Sequence, residues 1–139
     1  MSNLKAFLFE NAERAQEQDV VVSKRFKDET GNPVSWKIRP ITEAENENIR
    51  RSCTRKVTHR GASSVETDNE AYITKLVAEA VVYPDLKDAE LQASYGVMGA
   101  DTLLKKMLLA GEFGVLSQAV SEISGFDKGL QELKEEAKN

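Results

Sequence analysis

The sequence predicts an α+β fold, a mainly α-helical single domain with an N-terminal β-hairpin packed on the helices, and three observations predict it. In VSWKIRP, Val34, Trp36 and Ile38 alternate with Ser35, Lys37 and Arg39, the period-2 mark of a strand with one buried face. From Thr42 onward the apolar residues recur at helical spacing instead. A length of 139 residues allows one domain with a modest core. Residues 1–126 read as that domain and residues 127–139 as a charged C-terminal tail.

At the start of the chain, Leu4, Phe7, Leu8, Ala12 and Ala15 in LKAFLFENAERAQ share one helical face, which predicts an amphipathic helix of about four turns. Its stripe needs a cover, and docking on its own domain is preferred over gripping another chain. Val20, Val22 and Phe26 then alternate as the first hairpin arm, with Lys24 as the exception. Asp28 to Pro33 contains Gly31, Asn32 and Pro33, residues suited to turn dihedrals, so the arms pair as a hairpin over about residues 20–40. Two strands alone are marginal in water, so the hairpin must lie on helices, anchored by Trp36.

Helices are expected over about residues 42–125. Thr42 and Glu45 have the spacing of a capping box, which starts a helix carrying Ile49 and Cys53 one turn apart. Arg50, Arg51, Arg55, Lys56 and Arg60 concentrate positive charge on its end and on the loop after it, with Thr58 to Thr67 as the clearest loop. Thr67 and Glu70 repeat the capping spacing before AYITKLVAEAVVY, whose Ile73, Leu76, Val77, Ala80 and Val81 mark the central core helix, ending before Pro84. Asp85 or Asp88 caps a short helix through Leu91 and Tyr95, closed by Gly96. Leu103, Leu104, Met107 and Leu108 mark the next helix. Phe113, Leu116, Val120 and Ile123 mark the one after it, ended by Gly125, with Gly111 as the break between the two. The final DKGLQELKEEAKN has only Leu130 and Leu133 for a face, and reads as a frayed or partner-dependent helix.

Composition narrows the function. Apolar residues make up 40% and charged residues 30%, a globular balance. No stretch has the form of a secretion signal, and no apolar run approaches the roughly 20 residues that span a bilayer, so a soluble, cytoplasmic protein with no membrane partner is expected. The single cysteine, Cys53, agrees with a reducing compartment. Net charge is −4, divided unevenly: residues 1–60 hold 12 Lys/Arg against 9 Asp/Glu, and residues 61–139 hold 7 against 14.

No catalytic, cofactor or metal pattern stands out. The one histidine, His59, lies six residues after Cys53 with no Gly-rich oxyanion turn nearby, so a Cys/His nucleophile pair lacks support. Neither C-x-x-C nor H-E-x-x-H occurs, which argues against zinc, and the glycines of AGEFG do not have phosphate-loop spacing. KKMLLAGEFGVLSQAVSEISG resembles a helix-turn-helix in outline. Its second helix, however, offers Ser117, Gln118, Ser121 and Glu122 on the polar side and no cation for phosphates. The Arg50–Arg60 cluster lacks interleaved aromatics, so nucleic acid is a weak candidate partner.

The order of segments carries more information than any single motif. LKAFLFENA, SKRFKDETGNPVSWKIRPIT, ENIRRSC and YPDLKDAELQASYGVMGADTLLKKMLLAGEFGVLSQAVSEISGF together resemble the XkdN-like family of phage tail assembly chaperones, found in tailed phages and in prophages of Gram-positive bacteria. The resemblance spans nearly the whole chain and consists of packing residues, so it points to a family without naming a site. It implies a non-enzymatic protein of the bacterial host cytoplasm that binds the phage tape measure protein and keeps it soluble during tail morphogenesis. The alternatives are a structural tail component retained in the virion, or a small nucleic-acid-binding regulator using the Arg50–Arg60 cluster. Phe7, Leu8, Leu130 and Leu133 flank the expected core and are the candidate partner-binding residues; self-association through the same stripes is the competing use.

Overall fold

In the computed structural model, which describes residues 3–126, a 3-10 turn at Leu4–Phe7 precedes β1 (Gln18–Val20), β2 (Trp36–Ile38), α1 (Glu43–Ser52), β3 (Thr54–His59) and β4 (Ala62–Thr67). There follow α2 (Asn69–Ala80), β5 (Val81–Tyr83), α3 (Ala89–Ser94), α4 (Ala100–Met107) and α5 (Ala110–Ile123). The architecture is the α+β arrangement that the sequence predicts, with the small sheet β1-β2-β5 laid on the helices. Helix α2 is its centre: Ile73, Leu76, Val77 and Ala80 are buried, and α1, α4 and α5 pack around it. Burying each of its large aliphatic side chains contributes about 1.5–3 kcal/mol before chain entropy is counted.

The N-terminal hairpin forms as expected. Strand β1 runs antiparallel to β2, with Gln18 opposite Ile38 and Val20 opposite Trp36. Beyond the regular strands, Val34 N–H donates to Phe26 C=O at 2.8 Å and Asp28 N–H to Asn32 C=O at 2.9 Å, so the pairing continues irregularly to the tip. There the Asp28 carboxylate accepts from the backbone N–H of Thr30 and Asn32, and Gly31 takes φ +88°. Trp36 is the anchor, 2% exposed and tilted against Phe26 with ring centroids 6.1 Å apart.

Local signals place the helix ends. Thr42 Oγ1 accepts from Glu45 N–H at 3.3 Å while the Glu45 carboxylate accepts from Thr42 N–H at 3.2 Å, the reciprocal capping box. Asp88 caps α3 through Leu91 N–H at 2.9 Å, and Gly96 and Gly125 follow α3 and α5 with positive φ. Leu103, Leu104, Met107 and Leu108 are buried, as are Leu116 and Val120, so both C-terminal helices present their predicted stripes to α2.

Five expectations are corrected. The N-terminal segment does not form a four-turn helix docked on the domain: it makes one 3-10 turn at Leu4–Phe7 with no buried residue. Without tertiary cover so short an amphipathic stretch gains too little to hold a helix. Residues 54–67 are not a helix end and loop but a second hairpin, β3 with β4, turning at Arg60 (φ 53°) and Gly61 (φ 78°). Two successive positive φ angles make the kind of tight turn that suits strand twist. The cap of α2 is Asp68, whose carboxylate accepts from Ala71 N–H at 3.1 Å; Thr67 instead pairs with Thr54 across the hairpin, hydroxyl to hydroxyl at 2.9 Å. Val81 leaves the helix to begin β5, which pairs with β2, and Arg39 N–H donates to Ala80 C=O at 2.8 Å, while Pro84 holds Tyr83 extended. The break between the last two helices falls at Leu108–Leu109 rather than at Gly111, which lies inside α5. Leu109 N–H donates to the Glu112 carboxylate at 2.8 Å.

Two arginines tie elements together through ion pairs. Arg39, after β2, forms a two-pronged bond to Glu45 of α1 at 3.0 and 2.6 Å and reaches Glu79 of α2 at 2.9 Å. Arg25 grips Glu112 of α5 at 3.0 and 2.5 Å and also donates to Met107 C=O at 2.9 Å. Hydrogen bonds from Arg39 hold the Glu45 carboxyl at about 2, and those from Arg25 hold Glu112 at about 2, against an ordinary 4.5. With folded values below the unfolded ones, both pairs stabilise the fold fully above about pH 4.5, and the contribution is lost as pH falls towards 2.

Two predictions follow from this architecture. Leu76→Ala, at a site 0% exposed at the centre of α2, is expected to cost about 2–5 kcal/mol in urea unfolding, whereas Val115→Ala on the exposed side of α5 stays within about 0.5 kcal/mol of the parent. Glu45→Gln keeps the capping geometry and removes the charge. Its stability deficit at neutral pH should shrink as pH drops from about 4.5 towards 2; a deficit constant over that range would show that the charge contributes nothing.

Candidate partner-binding surface

Phe7 and Leu8 lie on an arm, residues 3–17, that precedes β1 and leaves its large apolar groups in water. Phe7 is 77% and Phe9 76% exposed, while Leu8 is partly covered at 39%. The arm has local order: Asn11 and Ala12 N–H both donate to Leu8 C=O at 2.9 Å, and the Asn11 amide donates to Lys5 C=O at 2.7 Å. The Arg14 guanidinium sits 4.8 Å from the centre of the Phe9 ring, a cation–π contact that covers one face of it. Leu130 and Leu133, the other two candidates, lie outside the described residues.

A second apolar surface escapes local sequence reading. A cleft of about 410 Å³ opens between the lower hairpin, the end of β5 and helix α3, walled by Phe26, Trp36, Tyr83, Leu91 and Tyr95, with Lys27 at its rim. Its hairpin side is braced: Arg25, held by Glu112 and Met107, stacks 5.0 Å from the centre of the Phe26 ring. Phe26 and Trp36 are legible as the hairpin's inner face. Tyr83 and Tyr95 join them only because the chain turns into β5 and then reverses through α3.

The basic cluster divides once it is placed. Arg50 lies 4.0 Å from Glu43, Arg51 pairs with Glu47 one turn away on α1, and Arg55 stands opposite Glu66 across the β3–β4 hairpin. Lys56 and His59 face Val65 and Ala62, with Arg60 in the turn, so the surviving positive charge sits towards the hairpin tip. The helix-turn-helix residues Ser117 and Ser121 are buried at 2% and 1% exposure, inside the core rather than facing a groove. Cys53 and His59 sit at opposite ends of β3, about 20 Å apart at strand rise, and form no pair. Among the described residues no three His, Cys, Asp or Glu side chains gather as a metal set, and no helix is long and apolar enough to cross a membrane.

What the geometry offers, then, is an exposed aromatic arm and an apolar cleft, both suited to holding another polypeptide. The chain is 30% identical over 127 residues to the phage-like element PBSX protein XkdN of Bacillus subtilis (strain 168), covering 90% of this chain and 86% of that protein. It is 32% identical over 127 residues to the protein YqbN of the same organism, covering 90% and 85%. A crystal structure of the protein YqbN superposes with a TM-score of 0.78 at 26% identity, over 91% of this chain and 99% of that one. The family described as phage XkdN-like tail assembly chaperone protein matches residues 4–138. On these matches the chain belongs to the phage XkdN-like tail assembly chaperone family, which is not a family of enzymes.

Proposed function

We propose that this protein binds the phage tape measure protein in the host cytoplasm and keeps it soluble until tail tube subunits polymerise around it. The observation that carries the reading is the arm: a member of a tail assembly chaperone family holds two phenylalanines about three-quarters exposed, at 77% and 76%, on a segment with no buried residue. A tape measure is a long helical chain whose apolar faces aggregate when left in water, and a binder must meet them with apolar side chains while keeping a charged exterior. The net charge of −4 and the 30% of charged residues supply that exterior. Phe7 and Leu8 contact the client from the N-terminal side, and Leu130 and Leu133 from the C-terminal side.

Co-expression with the tape measure protein from the same tail gene cluster tests the reading. Soluble tape measure, recovered only in a size-exclusion peak shared with this chain, is the expected result; tape measure left insoluble while this chain elutes alone would refute it. Within a recovered complex, Phe7→Asp is expected to weaken affinity by about tenfold or more, the scale of an aromatic anchor. Unchanged affinity in Phe7→Asp and in Leu130→Asp would remove the assigned contacts and, with them, the observation that carries the reading.

A further inference from the structure

We propose that the cleft between the hairpin and α3 is the docking site for the N-terminal arm of a second copy of this chain. It rests on the same reading of the arm as a protein-binding segment, and it adds the receptor. The two surfaces match in chemistry. The cleft presents Phe26, Trp36, Tyr83, Leu91 and Tyr95 with the Lys27 ammonium at its edge. The arm presents Phe7, Leu8 and Phe9 followed directly by the Glu10 carboxylate, with Glu13 three residues further on. With the apolar run seated, Lys27 would be a counter-charge available to Glu10.

Chain direction selects a second copy over the arm's own cleft. Because Gln18 is opposite Ile38 and Val20 opposite Trp36, the arm leaves the sheet at the Ile38 end, heading away from the Trp36 wall of the cleft. No arm residue lines that cleft, although the 15 residues 3–17 would extend to about 50 Å if fully stretched. An arm arriving from a neighbour needs no reversal, and reciprocal exchange closes the pair as a twofold dimer. Two largely exposed phenylalanines bring about 300 Å² of apolar surface per arm to the contact.

Sedimentation of the full chain from low micromolar to near-millimolar concentration is the test, alongside a Phe7→Asp/Phe9→Asp arm variant and a Lys27→Glu/Tyr83→Asp cleft variant. All four positions are exposed, so the fold should survive, as circular dichroism will check. The parent is expected to dimerise, and each variant alone to dissociate at concentrations about tenfold higher or more. An equimolar mixture is expected to regain a heterodimer, because one intact arm meets one intact cleft. A parent that stays monomeric throughout, a dimer that persists in either variant, or a mixture without heterodimer overturns the proposal. A second readout needs no variant of the cleft. A peptide of residues 3–17, which lacks tryptophan, should shift the emission of Trp36, the only tryptophan, when added to the arm variant. No shift at saturating peptide also overturns it. If the cleft variant is monomeric and still solubilises the tape measure, self-association and client binding are separate; if the parent dimerises, both variants lose the dimer and neither parent nor variant solubilises the client, only the chaperone reading fails.

Discussion

Everything in this fold depends on covering one helix. Helix α2 buries a broad face, with Ile73, Leu76, Val77 and Ala80 buried and Thr74 buried beside them, its hydroxyl donating back to Glu70 C=O at 3.0 Å. A face that wide cannot be closed by one neighbour. Helices α1, α4 and α5 take part of it, and the sheet supplies Trp36 and Ile38 for the rest. The sheet itself is three strands of three residues, too small to persist without that helix beneath it. Arg39 then links the end of the sheet to α1 and α2 through Glu45 and Glu79, so apolar closure and polar pairing fix the same relative placement.

Legibility in the sequence followed the range of each determinant. The Thr42–Glu45 box, the Asp88 cap, the Gly96 and Gly125 terminators and the Val34-Trp36-Ile38 alternation each act within a few residues, and each is found where its pattern places it. The β3–β4 hairpin was missed for a physical reason. Neither strand contains a buried residue, so no apolar alternation marks them, and only Arg60-Gly61 between β-branched residues hinted at a turn. Strand β5 was hidden differently, since Val81 continues the apolar stripe of α2, and only Pro84 and the open edge of β2 decide against another helical turn.

Of the candidate surfaces, the arm is legible and its state is not. Leu4, Phe7, Leu8 and Phe9 announce an apolar segment in any conformation. Whether it is covered depends on the rest of the fold, and the core closes fully on Trp36, Leu104, Leu116 and their neighbours without it. The cleft was illegible throughout, because its walls come from residues 26, 36, 83, 91 and 95, brought together by a strand and a helix that no local pattern joins.

An exposed aromatic arm is itself a hazard, since the chemistry that grips an aggregating client also promotes aggregation of its bearer. The proposed seating of the arm in a neighbour's cleft would resolve the conflict. The phenylalanines would stay dry in the dimer, and a client binding the arm would have to displace a contact of similar kind. The two equilibria are linked by mass action: self-association lowers the apparent affinity for client by the fraction of arms already occupied, and client binding in turn dissolves the dimer. A long helical client with many apolar stretches presents a high local density of sites and shifts that balance, whereas an isolated apolar segment does not. Selectivity for a long helical partner would then arise from competition, without a sequence-specific pocket.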